Sequence, residues 1–187
     1  RRDLAELAGV RVTTKAVERV AEALGAQVEA VACAERTAAL TGKVVALKPV
    51  LRLYIAIDGT GVPMVPHETE GRQGKDDTGK ATTREAKLGC VFTQTRLDEQ
   101  GRPVRDADST TYVGAIEPAE AFGRRIYAEA VRRGVPRAAQ VMVLGDGAPW
   151  IWGIAEEHFP GAIQIVDLYH AREHLADLGT LLYGPGS

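Results

Sequence analysis

Two aspartates carry the strongest chemical signal in this chain, because of their type and their setting. Asp58 follows the apolar run Leu51 to Ile57, Asp146 follows the run Val141 to Leu144 and Gly145, and each is followed by a glycine. An Asp-Gly after one strand, taken alone, reads as a turn or an N-cap. Two of them at equivalent strand ends carry more meaning. In an open α/β sheet the ligand crevice lies just beyond the carboxyl ends of the strands. If the two strands are adjacent and parallel, both carboxylates converge there. Two carboxylates a few ångströms apart repel unless a cation lies between them. Hard oxygen ligands of this sort suit Mg²⁺, which takes one or two carboxylates plus substrate phosphates. The chemistry expected of such a pair is phosphoryl transfer.

Further downstream stand Asp167 and His170, three residues apart, and the five residues His170-Ala-Arg-Glu173-His174. The latter spell His-x-x-Glu-His, the inverted zincin motif, with two imidazoles at i and i+4 and a glutamate suited to act as general base. A zinc metallopeptidase is therefore an alternative reading. It needs a further ligand beyond this helix and gives Asp58 and Asp146 no task. Cys33 and Cys90 are far apart and lack a Cys-x-x-Cys spacing, so they suggest neither a disulfide framework nor a thiolate zinc site and read as small buried apolar side chains. Trp150 and Trp152, two residues apart at a helix start, face different ways. One is expected in the core, the other free to stack on a base.

The elements that must position these residues follow from periodicity. With 45% hydrophobic and 26% charged residues among 187, the composition is that of a globular domain. It carries no signal peptide and no apolar run of the ~20 residues a membrane span needs, so a cytoplasmic protein is expected. Leu4 to Ala8 and Thr14 to about Ala39 show helical spacing, with Thr13 or Thr14 as N-cap and Gly9 between them, a helix-turn-helix pattern that would present Thr14, Lys15 and Arg19 to a DNA groove. The plainer reading is two packed helices leading into the core. Strands are expected at Leu51 to Ile57, Arg84 to Leu97 and Val104 to Ile116, the last two joined by a hairpin at Asp98 to Pro103. The segment His67 to Thr83, rich in glycine and charge, reads as a long mobile loop. A helix from Pro118 to Arg133 stopped by Gly134, a strand at Val141, a helix from Trp150 to His158, a strand from Ile163 to Val166 and a segment from Leu168 complete the order β-β-β-α-β-α-β-α. Such an order implies a mixed sheet with helices on its faces.

Four motifs in this order resemble those of ISKra-family insertion-sequence transposases. They are Tyr54-Ile-Ala-Ile-Asp58-Gly-Thr-Gly-Val-Pro63, Arg84-Glu-Ala-Lys-Leu-Gly-Cys-Val-Phe92, Val143-Leu-Gly-Asp146-Gly-Ala-Pro-Trp-Ile-Trp152 and Ile165-Val-Asp167-Leu-Tyr-His170-Ala-Arg-Glu-His174-Leu. Upstream, Leu7 to Val12 and Val17 to Ala23 are similar to that family's segment before the catalytic core. The resemblance implies an RNase H-like α/β core at 49–187 after a helical, helix-turn-helix-like segment at 1–48. It also implies a DDE transposase that cleaves and joins DNA at the ends of an insertion sequence with two Mg²⁺ or Mn²⁺ ions. Asp58 and Asp146 become the first two carboxylates of the triad and its metal ligands. Asp167 and His170 match the Asp-x-x-His signature of mutator-like transposases and sit beside the site.

The third acid of the triad is expected downstream of Ser187, since Glu173 comes too early, so the chain reads as a fragment that does not itself cleave DNA. The implied partners are DNA and further copies of the protein assembled on it, in the bacterial nucleoid, with no membrane. A net charge of −2 gives no global attraction to nucleic acid, so binding must use local cations and be weak and salt-dependent. Candidates are Lys15, Arg19, Lys80, Arg84, Lys87, Arg124 and Arg125, with Arg132, Arg133 and Arg137 nearby. A relic that binds DNA without catalysis is the non-enzymatic alternative.

Overall fold

The computed structural model describes residues 9, 12–43, 49–74 and 79–184. Helix α1, Thr14–Leu40, starts where Thr13 accepts a hydrogen bond from the Ala16 N–H at 3.1 Å, which satisfies one of the donors a helix start leaves open. The preceding helix expected at Leu4 to Ala8 lies outside the described residues. A five-stranded sheet follows, built from β1 (Val50–Pro63), β2 (Thr83–Thr93), β5 (Thr111–Ala115), β6 (Ala138–Gly145) and β7 (Ile163–Val166) in the spatial order β5-β2-β1-β6-β7. The pairs β1/β2 and β2/β5 are antiparallel, while β1/β6 and β6/β7 are parallel. The fold is thus α/β with a mixed sheet and an N-terminal helix.

Helix α3 (Ala119–Arg133) leads from β5 to β6 and α4 (Pro149–His158) from β6 to β7. Both crossovers step across the sheet in the same direction, so one handedness brings both helices to one face. There they enclose Leu53, Ile55, Ile57, Val91, Phe122, Ile126, Val143, Ile151 and Ile154, all buried. The alternation of a strand does the sorting: in β1 the residues 53, 55 and 57 face this core and 54, 56 and 58 face the other way. Helix α3 ends as its sequence indicates. Gly134 takes the left-handed conformation (φ 106°) and its N–H returns to the carbonyls of Ala130 and Val131. Helix α1 lies along α3, with Ala39 packed on Ala128 and Val131 and with Glu29–Arg125 and Glu35–Arg132 ion pairs at 3.0 and 2.7 Å.

Several boundaries depart from the sequence expectation. Strand β1 does not stop at Asp58 but continues to Pro63, because antiparallel pairing with β2 persists from Leu53↔Thr93 to Pro63↔Thr83 after the parallel partner β6 has ended. Strand β2 stops at Thr93, and Arg96–Leu97 (β3) instead pairs with Pro103–Val104 (β4) in a separate two-stranded ribbon. Asp106 causes the break: it accepts from the Thr93 hydroxyl at 2.6 Å and from the N–H and hydroxyl of Thr95, so the chain folds back before β5 begins at Thr111. The loop expected from His67 contains a helical turn, α2 (Pro66–Thr69), and a Gln73↔Lys80 bridge. Cys33, expected to be buried, is exposed on α1. Among the described residues no helix is long and apolar enough to cross a membrane.

Candidate functional site

The sheet register brings the two aspartates together. Ala56 and Leu144 are paired across β1 and β6, and two residues further along each strand stand Asp58 and Asp146, on the face away from the core. Asp58 is therefore at a strand end only with respect to β6. The two Asp-Gly pairs also differ in kind. Gly147 has a φ of 101°, a true turn glycine after β6. Gly59 is within β1, and a Cβ there would come within 2.8 Å of Glu85 Oε1 and 3.2 Å of the Trp150 ring. Its glycine permits close packing rather than a turn.

Each carboxylate is oriented by its own backbone. Asp58 Oδ1 accepts from the Gly59 N–H at 2.7 Å, and Asp146 Oδ1 accepts from the Ala148 N–H at 2.8 Å. A third group completes the cluster: ligand atoms of Asp58, Asp146 and His170 all lie within 4.8 Å of one another. Two carboxylates and an imidazole at this spacing can hold a divalent cation, whose charge would offset the repulsion between the acids.

The Asp-x-x-His spacing acquires a physical meaning here. The N–H of Asp167 donates to the Gly145 carbonyl at 2.8 Å, fixing the chain beside the residue that precedes Asp146. The Asp167 carboxylate then caps helix α5 (Leu168–Tyr183), accepting from the Tyr169 N–H at 2.7 Å. His170, in the first turn of α5, is delivered to the aspartates as a result. Asp167 is a capping residue beside the cluster, not a member of it. Glu173 approaches Nδ1 of His170 at 3.6 Å, while His174 is exposed and lies outside the one such group found among the described residues.

The cluster opens into a cleft of about 580 Å³ whose walls include Leu88, Cys90, Phe92, Tyr112 and Arg105. Phe92 stacks on Tyr54 with ring centroids 5.1 Å apart, and the Arg105 guanidinium lies 3.8 Å from the Phe92 centroid. Burial pushes the Cys90 thiol above its ordinary pKa, against the opposing effect of the Arg105 charge. Sequence reasoning missed Arg105 and Tyr112. Tyr112 could have been found from strand alternation, but Arg105 follows the β3/β4 ribbon, where no periodicity marks it.

None of the cations named as DNA contacts lines this cleft. Lys15, Arg19, Lys80, Arg124 and Arg137 are exposed elsewhere. Arg125 is nearly enclosed between Glu117 (2.7 Å) and Glu29 (3.0 Å), which hold its pKa above the ordinary value. Lys87 is buried against Glu85 with its ammonium 5.0 Å from the Trp150 ring. Arg84 lies 3.6 Å from Glu68, Arg132 pairs with Glu35 and Glu129, and Arg133 donates to the Ser109 carbonyl. Both tryptophans are partly buried against the core, Trp150 edge-on to Phe122 at 6.4 Å. No protein-family model, curated protein or solved structure matches the chain.

Proposed function

We propose that the chain carries the first two acids of a DDE-type DNA transposase triad on an RNase H-like core, as the resemblance to the ISKra family implies. The observation that carries this reading is the placement of Asp58 and Asp146, with His170, within 4.8 Å of one another just beyond the point where the parallel pairing of β1 and β6 ends. Three antiparallel strands followed by two parallel ones, with both crossover helices on one face, are compatible with an RNase H-like core.

Asp58 and Asp146 would hold the divalent ion, Mg²⁺ or Mn²⁺, in the way hard carboxylate oxygens do. When bound, the ion supplies positive charge that makes a water or 3′-hydroxyl more acidic and offsets charge on the scissile phosphate. The chain's own residues do the rest. The Gly59 and Ala148 N–H groups fix the planes of the two carboxylates, and Asp167 roots α5 beside them. Leu88, Cys90 and Phe92 give the cleft an apolar wall, and Arg105 adds a positive charge to its lining that would meet a phosphate of the DNA backbone.

The test is DNA strand cleavage by the longest natural protein that contains this chain, on duplexes carrying the ends of the element that encodes it. The expected result is nicking that requires Mg²⁺ or Mn²⁺ and disappears with Asp58→Asn and with Asp146→Asn, since an amide keeps the shape and loses the charge. Nicking that survives either substitution overturns the reading.

A further inference from the structure

The residue that distinguishes this cluster from a pair of acids is the imidazole. We propose that His170 is a direct ligand of the cation held by Asp58 and Asp146, and that its nitrogen makes the site select Mn²⁺ over Mg²⁺. The inference rests on the reading of the two aspartates as metal ligands and goes beyond it in naming the third donor and the ion preferred.

Three observations converge on it. The first is distance: the ligand atom of His170 is within 4.8 Å of both carboxylates, close enough for all three to reach a common ion with small side-chain adjustments. The second is how firmly the imidazole is brought there. Helix α5 has no buried residue, so packing does not hold its start in place. The Asp167 N–H does so instead by donating to the carbonyl of Gly145, which directly precedes Asp146, while the Asp167 carboxylate caps the helix by accepting from the Tyr169 N–H. The third is Glu173. Its carboxylate is 3.6 Å from Nδ1 of His170, beyond hydrogen-bond distance, and a small side-chain shift would let it accept a proton from that atom and leave the lone pair on Nε2. A carboxylate behind a ligating imidazole is the usual arrangement in protein metal sites, where it fixes the tautomer and raises the basicity of the donor. Glu173 is in this account a positioning residue.

Ion preference follows from donor chemistry. Mg²⁺ binds oxygen and keeps its waters, and gains little from a nitrogen ligand. Imidazole suits first-row transition ions, whose affinities for nitrogen-containing sites lie above that of Mg²⁺ and rise from Mn²⁺ through Co²⁺. An Asp, Asp, His set should therefore separate Mn²⁺ from Mg²⁺ where an all-carboxylate set would do so far less.

Pulsed electron paramagnetic resonance of Mn²⁺ added to the intact chain tests this without any activity. The expected result is ¹⁴N modulation from a directly bound nitrogen, absent in His170→Ala. Binding titrations should show a loss of Mn²⁺ affinity of ~10-fold or more in that variant, at the scale of a lost metal-site partner, and a change in Mg²⁺ affinity of less than about threefold. Glu173→Gln should retain the ¹⁴N modulation with an intermediate Mn²⁺ affinity. His170 is half exposed and makes no core contact, so the variants keep the fold, which circular dichroism checks. Mn²⁺ binding that is lost in Asp58→Asn but shows no ¹⁴N modulation overturns the role of His170 and leaves the carboxylate site standing. Binding that survives Asp58→Asn combined with Asp146→Asn overturns both.

Discussion

The two faces of the sheet are built from the same strands and do opposite work. On one, Leu53, Ile55, Ile57, Val91 and Val143 are sealed beneath α3 and α4. On the other, the alternate residues Ala56, Asp58, Leu88, Cys90, Tyr112, Leu144 and Asp146 border an open cleft, and Tyr112 retains 75% of its surface exposure. The first face contributes most of the buried apolar area, to which the second adds Phe92 and Met142, and apolar area removed from water is the main favourable term in folding. The open face can then carry two like charges side by side, a cost the packed face could not absorb. A strand period of two thus lets a single segment such as Leu53 to Asp58 supply core residues and cleft-lining residues in alternation.

The largest expected effect breaks the packed face. Phe122 is fully buried against the sheet, and Phe122→Ala should cost about 3–5 kcal/mol of unfolding free energy. Denaturant titration measures this. A cost near that of a surface substitution would mean that the two faces do not differ as described.

The open face should respond with the opposite sign. Asp58→Asn and Asp146→Asn each remove one of two neighbouring like charges, so in metal-free buffer neither lowers the melting temperature. The difference appears when a divalent ion is added. At about 100 times its dissociation constant the ion should stabilise the unaltered chain by ~2.7 kcal/mol, the linkage value for a ligand that binds only the folded state. Both Asn variants should lose that gain. Calorimetry with and without Mn²⁺ reads both halves, and a variant that keeps the gain excludes that aspartate as a ligand.

This contrast also explains what was legible in the sequence. The packed face was readable because period and composition report burial directly, and the helix end at Gly134 because only glycine adopts its conformation cheaply. Asp58 and Asp146 were readable because each ends an apolar run. What escaped depended on contacts between distant segments. The continuation of β1 to Pro63 is decided by β2, and the break in β2 by Asp106, some thirteen positions after Thr93. The membership of His170 in the cluster, and of Asp167 outside it, is decided by one hydrogen bond to Gly145. Arg125 and Lys87 looked like exposed cations because their partners Glu29, Glu117 and Trp150 come from other elements.

A smaller effect probes a weak point within the packed face. His158, at the end of α4, stacks on Tyr127 at 5.6 Å and fills the space a Cβ on Gly123 would need, and its Nε2 is buried with no hydrogen-bond partner, the Glu157 carboxylate lying 3.7 Å away. Burial holds its pKa below the ordinary 6.5, so the folded chain keeps it neutral while the unfolded chain takes up a proton below that pH. Stability from this group is therefore complete above pH 6.5 and is lost as pH falls from there through the lowered value. His158→Gln should remove the part of the acid destabilisation that begins near pH 6.5. The part due to Glu29, Asp98 and Asp106 should remain, because their pKa values are lowered and they lose stability only in the carboxylate range. Identical pH profiles for the two proteins would show that His158 is not desolvated.

The smallest effect concerns how α1 is held to the back of the packed face. Arg125 is shared between Glu117, on its own side of the chain, and Glu29 of α1. The Glu29 carboxylate is about half exposed and its pKa is lowered chiefly by the hydrogen bond from Arg125. Exposure screens such a pair, so Glu29→Gln should cost only about 0.2–1 kcal/mol. Arg125→Met should cost more, because it leaves the half-buried Glu117 carboxylate without its guanidinium as well. A double-mutant cycle separates the two. The Glu29–Arg125 coupling should fall within the surface range, and should shrink as salt is raised, since exposed charges are screened. A coupling several times larger, insensitive to salt, would mean that α1 is fixed to α3 as firmly as the sheet is, and that the packed face extends through α3 to the N-terminal helix.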